Sequence, residues 1–104
     1  MTQYTVRIED EALEQLIDLA KHIATQATPQ IATSFTDKVL DHAKGLDLFP
    51  YRGTERDDIR PGLRTISYRK RVTIAFTIDD DAHIVSVIGF FYGGRDWETL
   101  LSNP

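Results

Sequence analysis

A two-layer α+β fold is predicted: an N-terminal strand and an αα-hairpin packed on a mostly antiparallel sheet, ordered β-α-α-β-β-β, with a short C-terminal helix. Three observations carry this prediction. Residues 72–79 and 83–91 are apolar runs of strand length, separated by the turn-prone Asp79-Asp80-Asp81. Residues 13–27 and 32–46 instead repeat apolar residues at three- and four-residue spacing. Thr28-Pro29 stands between these helical stretches and leaves no room for a linker, so the two helices must fold back on each other.

Tyr4, Val6 and Ile8 alternate with polar residues, so 3–8 read as a short strand. Asp10 is a candidate cap for the helix that follows, and Glu11 and Glu14 suit its positive end. The first helix carries a stripe of Leu13, Leu16, Ile17, Ala20, Ile23, Ala24 and Ala27. At the joint, Thr28 is a good N-cap and Pro29 fits the first helical position, where a missing N–H costs nothing. The second helix runs from Pro29 to about Leu46, with Ala32, Phe35, Val39, Ala43 and Leu46 as its stripe. Residues 51–62 read as a polar loop punctuated by Gly53 and Pro61-Gly62. Leu63–Tyr68 is a third strand, and Arg69-Lys70 is a tight connection into the alternating run Val72, Ile74, Phe76, Ile78. The run from His83 to Phe91 is apolar on both faces, as expected of an interior strand. After Gly93-Gly94, Asp96 can cap a last short helix through Trp97, Leu100 and Leu101. Leu16, Ile17, Ile23, Phe35, Val39, Ile74, Phe76, Val87 and Ile88 are expected to form one core.

At 104 residues the chain is sized for a single domain, 1–104. No apolar run approaches the ~20 residues that span a bilayer, and the N-terminus lacks a basic region followed by an apolar block. The chain has no cysteine, which excludes disulfides, thiolate ligands and cysteine nucleophiles and is compatible with a cytoplasmic location. Charge is unevenly placed. Residues 52–71 hold seven basic and three acidic side chains, a local excess of +4 in a chain of net −4, which leaves −8 on the rest. A basic segment on an acidic body can meet an anionic or acidic partner, or its arginines can pair with the acids between them.

His22, His42 and His83 have no clustered partners at ligand spacing, so no metal or other cofactor is expected. The sequence has no GxGxxG, GxxxxGK[ST] or GxSxG. What remains is Arg64, Arg71, Tyr92 and Arg95, each at a strand end or just past one. Arg71 opens one antiparallel strand and Tyr92 closes the next, so both belong to the same end of the hairpin. Arginines beside a tyrosine can hold a phosphate and offer a proton, which suits metal-free RNA cleavage. The plainer alternative is that Tyr92 packs and Arg95 pairs with Asp96 or Glu98.

The chain also resembles a known family. The resemblance is carried by Ala12–Leu16 with Ile23-Ala24, Ala32–Phe35, Leu48-Phe49-Pro50-Tyr51-Arg52-Gly53, Arg60–Arg64, Val72–Phe76, and Val85–Ile88 leading to Tyr92-Gly93-Gly94-Arg95-Asp96. In this order and spacing they are similar to the ParE/RelE superfamily of toxins from type II toxin–antitoxin modules, also called plasmid stabilisation proteins. The resemblance implies the same β-α-α-sheet fold and a toxin neutralised by a small cognate antitoxin. It implies one of two activities: ParE-like poisoning of DNA gyrase, or RelE-like cleavage of mRNA on the ribosome, with direct nucleic-acid contact left open between them. The FP-x-x-G, PGLR and G-x-x-x-R-D-like pieces and the acidic pI near 5.2 resemble the ParE-like branch. Arg71 and Tyr92 fall where the RelE-like branch carries catalytic residues, although many ParE-like members have histidine at the Tyr92 position. A homologue that only binds its antitoxin is the third reading. Arg60, Arg64, Arg95 and Trp97 are the candidate partner contacts. Leu19, Leu40, Phe91 and Leu101 lie off the main stripes and are expected to form apolar surface for an antitoxin segment.

Overall fold

The computed structural model describes residues 3–92 and 97–102. Its elements are β1 (Thr5–Ile8), α1 (Asp10–Gln26), α2 (Pro29–Lys44), a 3₁₀ turn (Gly45–Asp47), β2 (Thr54–Glu55), β3 (Arg64–Tyr68), β4 (Val72–Asp79), β5 (Ile84–Tyr92) and α3 (Trp97–Ser102). The sheet has five strands in the order β1-β5-β4-β3-β2; β1 pairs with β5 in parallel and every other pair is antiparallel. The predicted α+β architecture is present, with the helical hairpin on one face of the sheet.

Local chemistry sets the boundaries. Thr28 caps α2 as expected: its hydroxyl accepts from the Ile31 N–H at 3.1 Å, with Pro29 at the first helical position. The cap of α1 is Glu9, without a side-chain bond, and Asp10 is already helical. Arg69 and Lys70 take left-handed φ of 50° and 58° at the centre of the β3–β4 turn, which the Arg71 N–H closes by donating to the Tyr68 carbonyl at 2.9 Å. The segment read as a loop contains β2, a two-residue edge strand on β3. Gly53, at φ 91°, precedes it; an added Cβ there would run into the Thr65 carbonyl.

The main core joins Ala12, Leu16 and Leu19 of α1 and Val39 and Ala43 of α2 to Ile74, Phe76, Val85, Val87 and Phe90 of the sheet. The inward row of α1 is therefore 12, 16, 19 and 23, one position round from the expected stripe. Leu19 is 4% exposed, whereas Leu13 and Ile17 are 45% and 46% exposed. A smaller cluster on the opposite face holds Leu63, Ala75 and Phe91, with Ile59, Ile88, Trp97 and Leu101 against it. Ile88 thus belongs to the second face and not to the core expected for it.

The exchange of faces along β5 has a single cause. Ala75 pairs with Gly89 but Phe76 pairs with Val87, so Ile88 is an extra residue and the strand bulges. Val85 and Val87 face the helices before the bulge; Phe90 and Tyr92 do so after it, and Phe91 turns away. The Phe90 N–H donates to Gln15 Oε1 on α1 at 2.9 Å. Phe91 is 3% exposed and Leu40 and Leu101 are half-buried, so the four residues expected to form an apolar surface are instead packed.

Candidate functional site

The β4–β5 register sets Val72 opposite Tyr92, which brings Arg71 and Tyr92 to one end of the sheet as the sequence predicts. α1 runs along β5 and places His22 over Tyr92, with ring centroids 5.8 Å apart. The first turns of α2 add Ile31 and Phe35. Together with Lys70 and Arg71 of the β3–β4 turn these groups enclose a cleft of about 450 Å³. Its walls are apolar and its mouth is cationic. Lys70 and Arg71 are both exposed, and neither belongs to any of the three ion pairs among the described residues. Beside the cleft, Arg69 lies over the Tyr68 ring at 5.5 Å, and Phe35 and His42 meet that ring edge-on. Burial pushes the His42 imidazole below its ordinary range, the Arg52 charge adds to this, and a hydrogen bond with the Ser67 backbone opposes both.

The other predicted site residues lie elsewhere. Arg60 Nε donates to the Leu101 carbonyl at 3.1 Å and so ties α3 to the segment before β3. Trp97 stacks on Phe91 at 6.5 Å beneath the Arg56 guanidinium, which lies 5.2 Å from its ring. Arg56 also bonds Glu98 at 2.7 Å and Asp58 at 3.0 Å, and holds the Asp58 carboxyl below its ordinary range. Arg64 pairs with Glu55 at 3.0 Å, donates to the Tyr51 carbonyl at 2.6 Å and lies over the Tyr51 ring. The structure therefore separates Arg64 from the Arg71–Tyr92 end and gives it a local task. Arg95 and Asp96 lie outside the described residues.

Two features were missed by sequence reasoning. Tyr4 donates to Asp80 Oδ1 at 2.8 Å and Tyr51 donates to the same oxygen. These bonds, that of Tyr51 first, hold the Asp80 carboxyl below its ordinary range and push both phenols up. They join positions 76 and 29 residues apart, and no local pattern announces such a pairing. The second is the cleft itself, which draws on four separate elements. A signal for it existed in Arg69-Lys70-Arg71, three successive cations at a hairpin tip. Among the described residues no group of three His, Cys, Asp or Glu could hold a metal, and no helix is long and apolar enough to cross a membrane.

No curated relative matches the chain. Among solved structures, a chain of the chromosomal ParDE toxin–antitoxin system from P. aeruginosa superposes with a TM-score of 0.76 at 15% identity, covering 86% of this chain and 96% of that one. A chain of the RelBE2 toxin–antitoxin complex from Mycobacterium tuberculosis gives 0.60 at 22% identity over 91% of this chain and 97% of that one. A doubly substituted RelE toxin from E. coli in the free state gives 0.60 at 12% identity over 97% and 95%. At these identities the likeness is one of fold. The family model described as the ParE toxin of the type II toxin–antitoxin system parDE matches residues 6–97, nearly the whole chain. The chain belongs to this ParE toxin family of type II toxin–antitoxin systems.

Proposed function

We propose that this toxin is ParE-like in action: it arrests growth in the cytoplasm by poisoning DNA gyrase, and a cognate antitoxin neutralises it. The family match over residues 6–97 carries this reading. The character of the cleft supports it. Apolar side chains of α1, α2 and β4 form most of its lining, a composition suited to a protein surface. A site for a phosphodiester in flight would gain from dense cationic contacts. In this reading Arg60, Arg64, Arg95 and Trp97 are partner contacts, the described three through the parts their internal bonds leave exposed.

One observation favours a second reading, RelE-like mRNA cleavage. Arg71 and Tyr92 line the same cleft, where a guanidinium and a phenol could hold a phosphate and move a proton. Regulated expression of this chain, with growth, DNA supercoiling and mRNA integrity followed together, separates the readings. Growth arrest with altered supercoiling and intact mRNA is the expected result. Arrest with cleaved mRNA and normal supercoiling selects the second reading, and unimpaired growth selects an inactive antitoxin-binding homologue.

A further inference from the structure

Leu48, Phe49 and Tyr51 are 46%, 58% and 54% exposed, three of the seven large apolar side chains that the described residues expose, and they fall within four positions. The fold accounts for part of this turn. Pro50 is buried, and Tyr51 donates to Asp80. Arg64 holds Tyr51 twice, donating to its carbonyl at 2.6 Å and lying 5.5 Å from its ring, so the turn keeps its shape without Asp80. The Arg52 N–H closes the turn on the Phe49 carbonyl at 3.4 Å. Just before it, Asp47 is tied to the N-terminal strand: its carbonyl accepts from the Tyr4 N–H at 2.8 Å, and its Oδ2 from Gln3 Nε2 at 3.1 Å. Leu48 and Phe49 belong to neither core cluster. A fixed backbone thus displays two apolar side chains that the core does not use, and such side chains mark a contact surface. The charge beside them is positive. Arg52 is exposed, stands outside the three described ion pairs and reaches Gly45 at the negative end of α2. Lys44 in the last turn of α2 is exposed as well. The nearest carboxylates in the chain, Asp47 and Glu55, already have partners in Gln3 and Arg64.

We infer that the turn at residues 48–52 is a second anchor on the protein that the toxin attacks, separate from the cleft. Phe49 and Leu48 enter an apolar pocket of that protein, and carboxylates at the pocket's rim pair with Arg52 and Lys44. The inference rests on the toxin reading and adds the place and the chemistry of the target contact. A rigid aromatic side chain on a turn already held in shape loses little freedom on binding, which is the character of an interface hot spot. Charge selects this occupant over others. A second copy in a two-fold contact would set the patch against itself and crowd Arg52 and Lys44 of both copies together. Anionic lipid repels a chain of net −4, and two apolar side chains bury too little to hold it there. A phosphate backbone calls for a denser row of cations than these two.

The test uses the whole chain, with purified DNA gyrase as the binding probe and growth arrest on expression as the second readout. Phe49→Ser should weaken gyrase binding at least ~10-fold, Leu48→Ser less so, and both should relieve arrest. Arg52→Glu should weaken binding more at low salt than at high salt. Leu13→Ser, at a position 45% exposed on α1, should change neither readout. Unfolding midpoints of the four variants should match wild type. Unchanged binding and arrest in Phe49→Ser would overturn the inference and leave the gyrase reading standing. Arrest by the wild type without gyrase binding, relieved by Phe49→Ser, would overturn the gyrase reading and leave the anchor standing on another target. A wild type that neither binds nor arrests defeats both. Equal losses in Leu13→Ser, or a self-associated wild type or a complex with a short DNA duplex that Phe49→Ser dissolves, would each overturn the inference.

Discussion

The two ends of the β4–β5 hairpin are built on opposite plans. At the Asp80 end, two tyrosines from distant segments share one carboxylate oxygen, and Tyr4 packs edge-on against His83 with centroids 5.2 Å apart. Nearby, Arg64 is bound to Glu55 and to the Tyr51 carbonyl. At the Arg71 end the turn holds three successive cations, and Lys70 and Arg71 stand outside the described ion pairs above an apolar cleft. One end has its polar groups consumed by the fold; the other displays them. A protein that must recognise a partner needs the second kind of end, and the first kind holds the sheet in shape beneath it.

Both ends depend on the core between them, so the largest effect should come from its centre. Phe76 is fully buried between the helices and the sheet. Phe76→Ala should cost about 3–5 kcal/mol in chemical denaturation and weaken both ends together. The open end has its own support in Gln15, which accepts the Phe90 N–H at the bulge. Gln15→Ala leaves that amide without a partner at a part-buried position and should cost about 1–3 kcal/mol. It should also broaden the amide signals of residues 88–92 while sparing those of residues 79–84.

The closed end is tested by Asp80→Asn. Because the folded carboxyl titrates below its ordinary range, its stabilisation is complete above that range and is lost as pH falls through the folded value. The variant should therefore unfold more easily than wild type near pH 7, and the two should converge in acid. Growth arrest should survive this substitution. A smaller effect is expected from His42, whose folded value also lies below its ordinary 6.5. Its contribution is whole above pH 6.5 and declines as pH falls below that value toward the folded one. Replacing it by glutamine should flatten the stability profile just below pH 6.5, measured by thermal unfolding against pH.

Much of the sheet and the helical hairpin was legible because alternation, helical spacing and the Thr28-Pro29 joint are local signals. The facing of α1 was not, because apolar residues occupy two adjacent rows, 12-16-19-23 and 13-17-20-24, and spacing alone does not choose between them. Ile88, expected in the main core, packs on the other face because β5 bulges at this residue, which reverses the alternation without changing the composition. β2 is two polar residues long, and only its partner strand defines it. At the candidate site, antiparallel register was enough to bring Arg71 beside Tyr92. Bringing His22, Ile31 and Phe35 to the same place required the packing of α1 and α2 across that end, which no short motif encodes.

The central claim is that the open end acts by recognition and not by proton transfer. Tyr92→Phe tests it most directly, since it keeps the ring beside His22 and removes only the hydroxyl. The variant and wild type are expressed alone, and growth, double-strand DNA breaks and mRNA integrity are measured in the same cells. The account predicts that arrest and DNA breaks persist in the variant at near wild-type level, with mRNA intact in both. Loss of a general acid or base typically costs ~10²–10⁴ in rate. Cleaved mRNA in wild-type cells, abolished together with growth arrest by this one substitution, would contradict it.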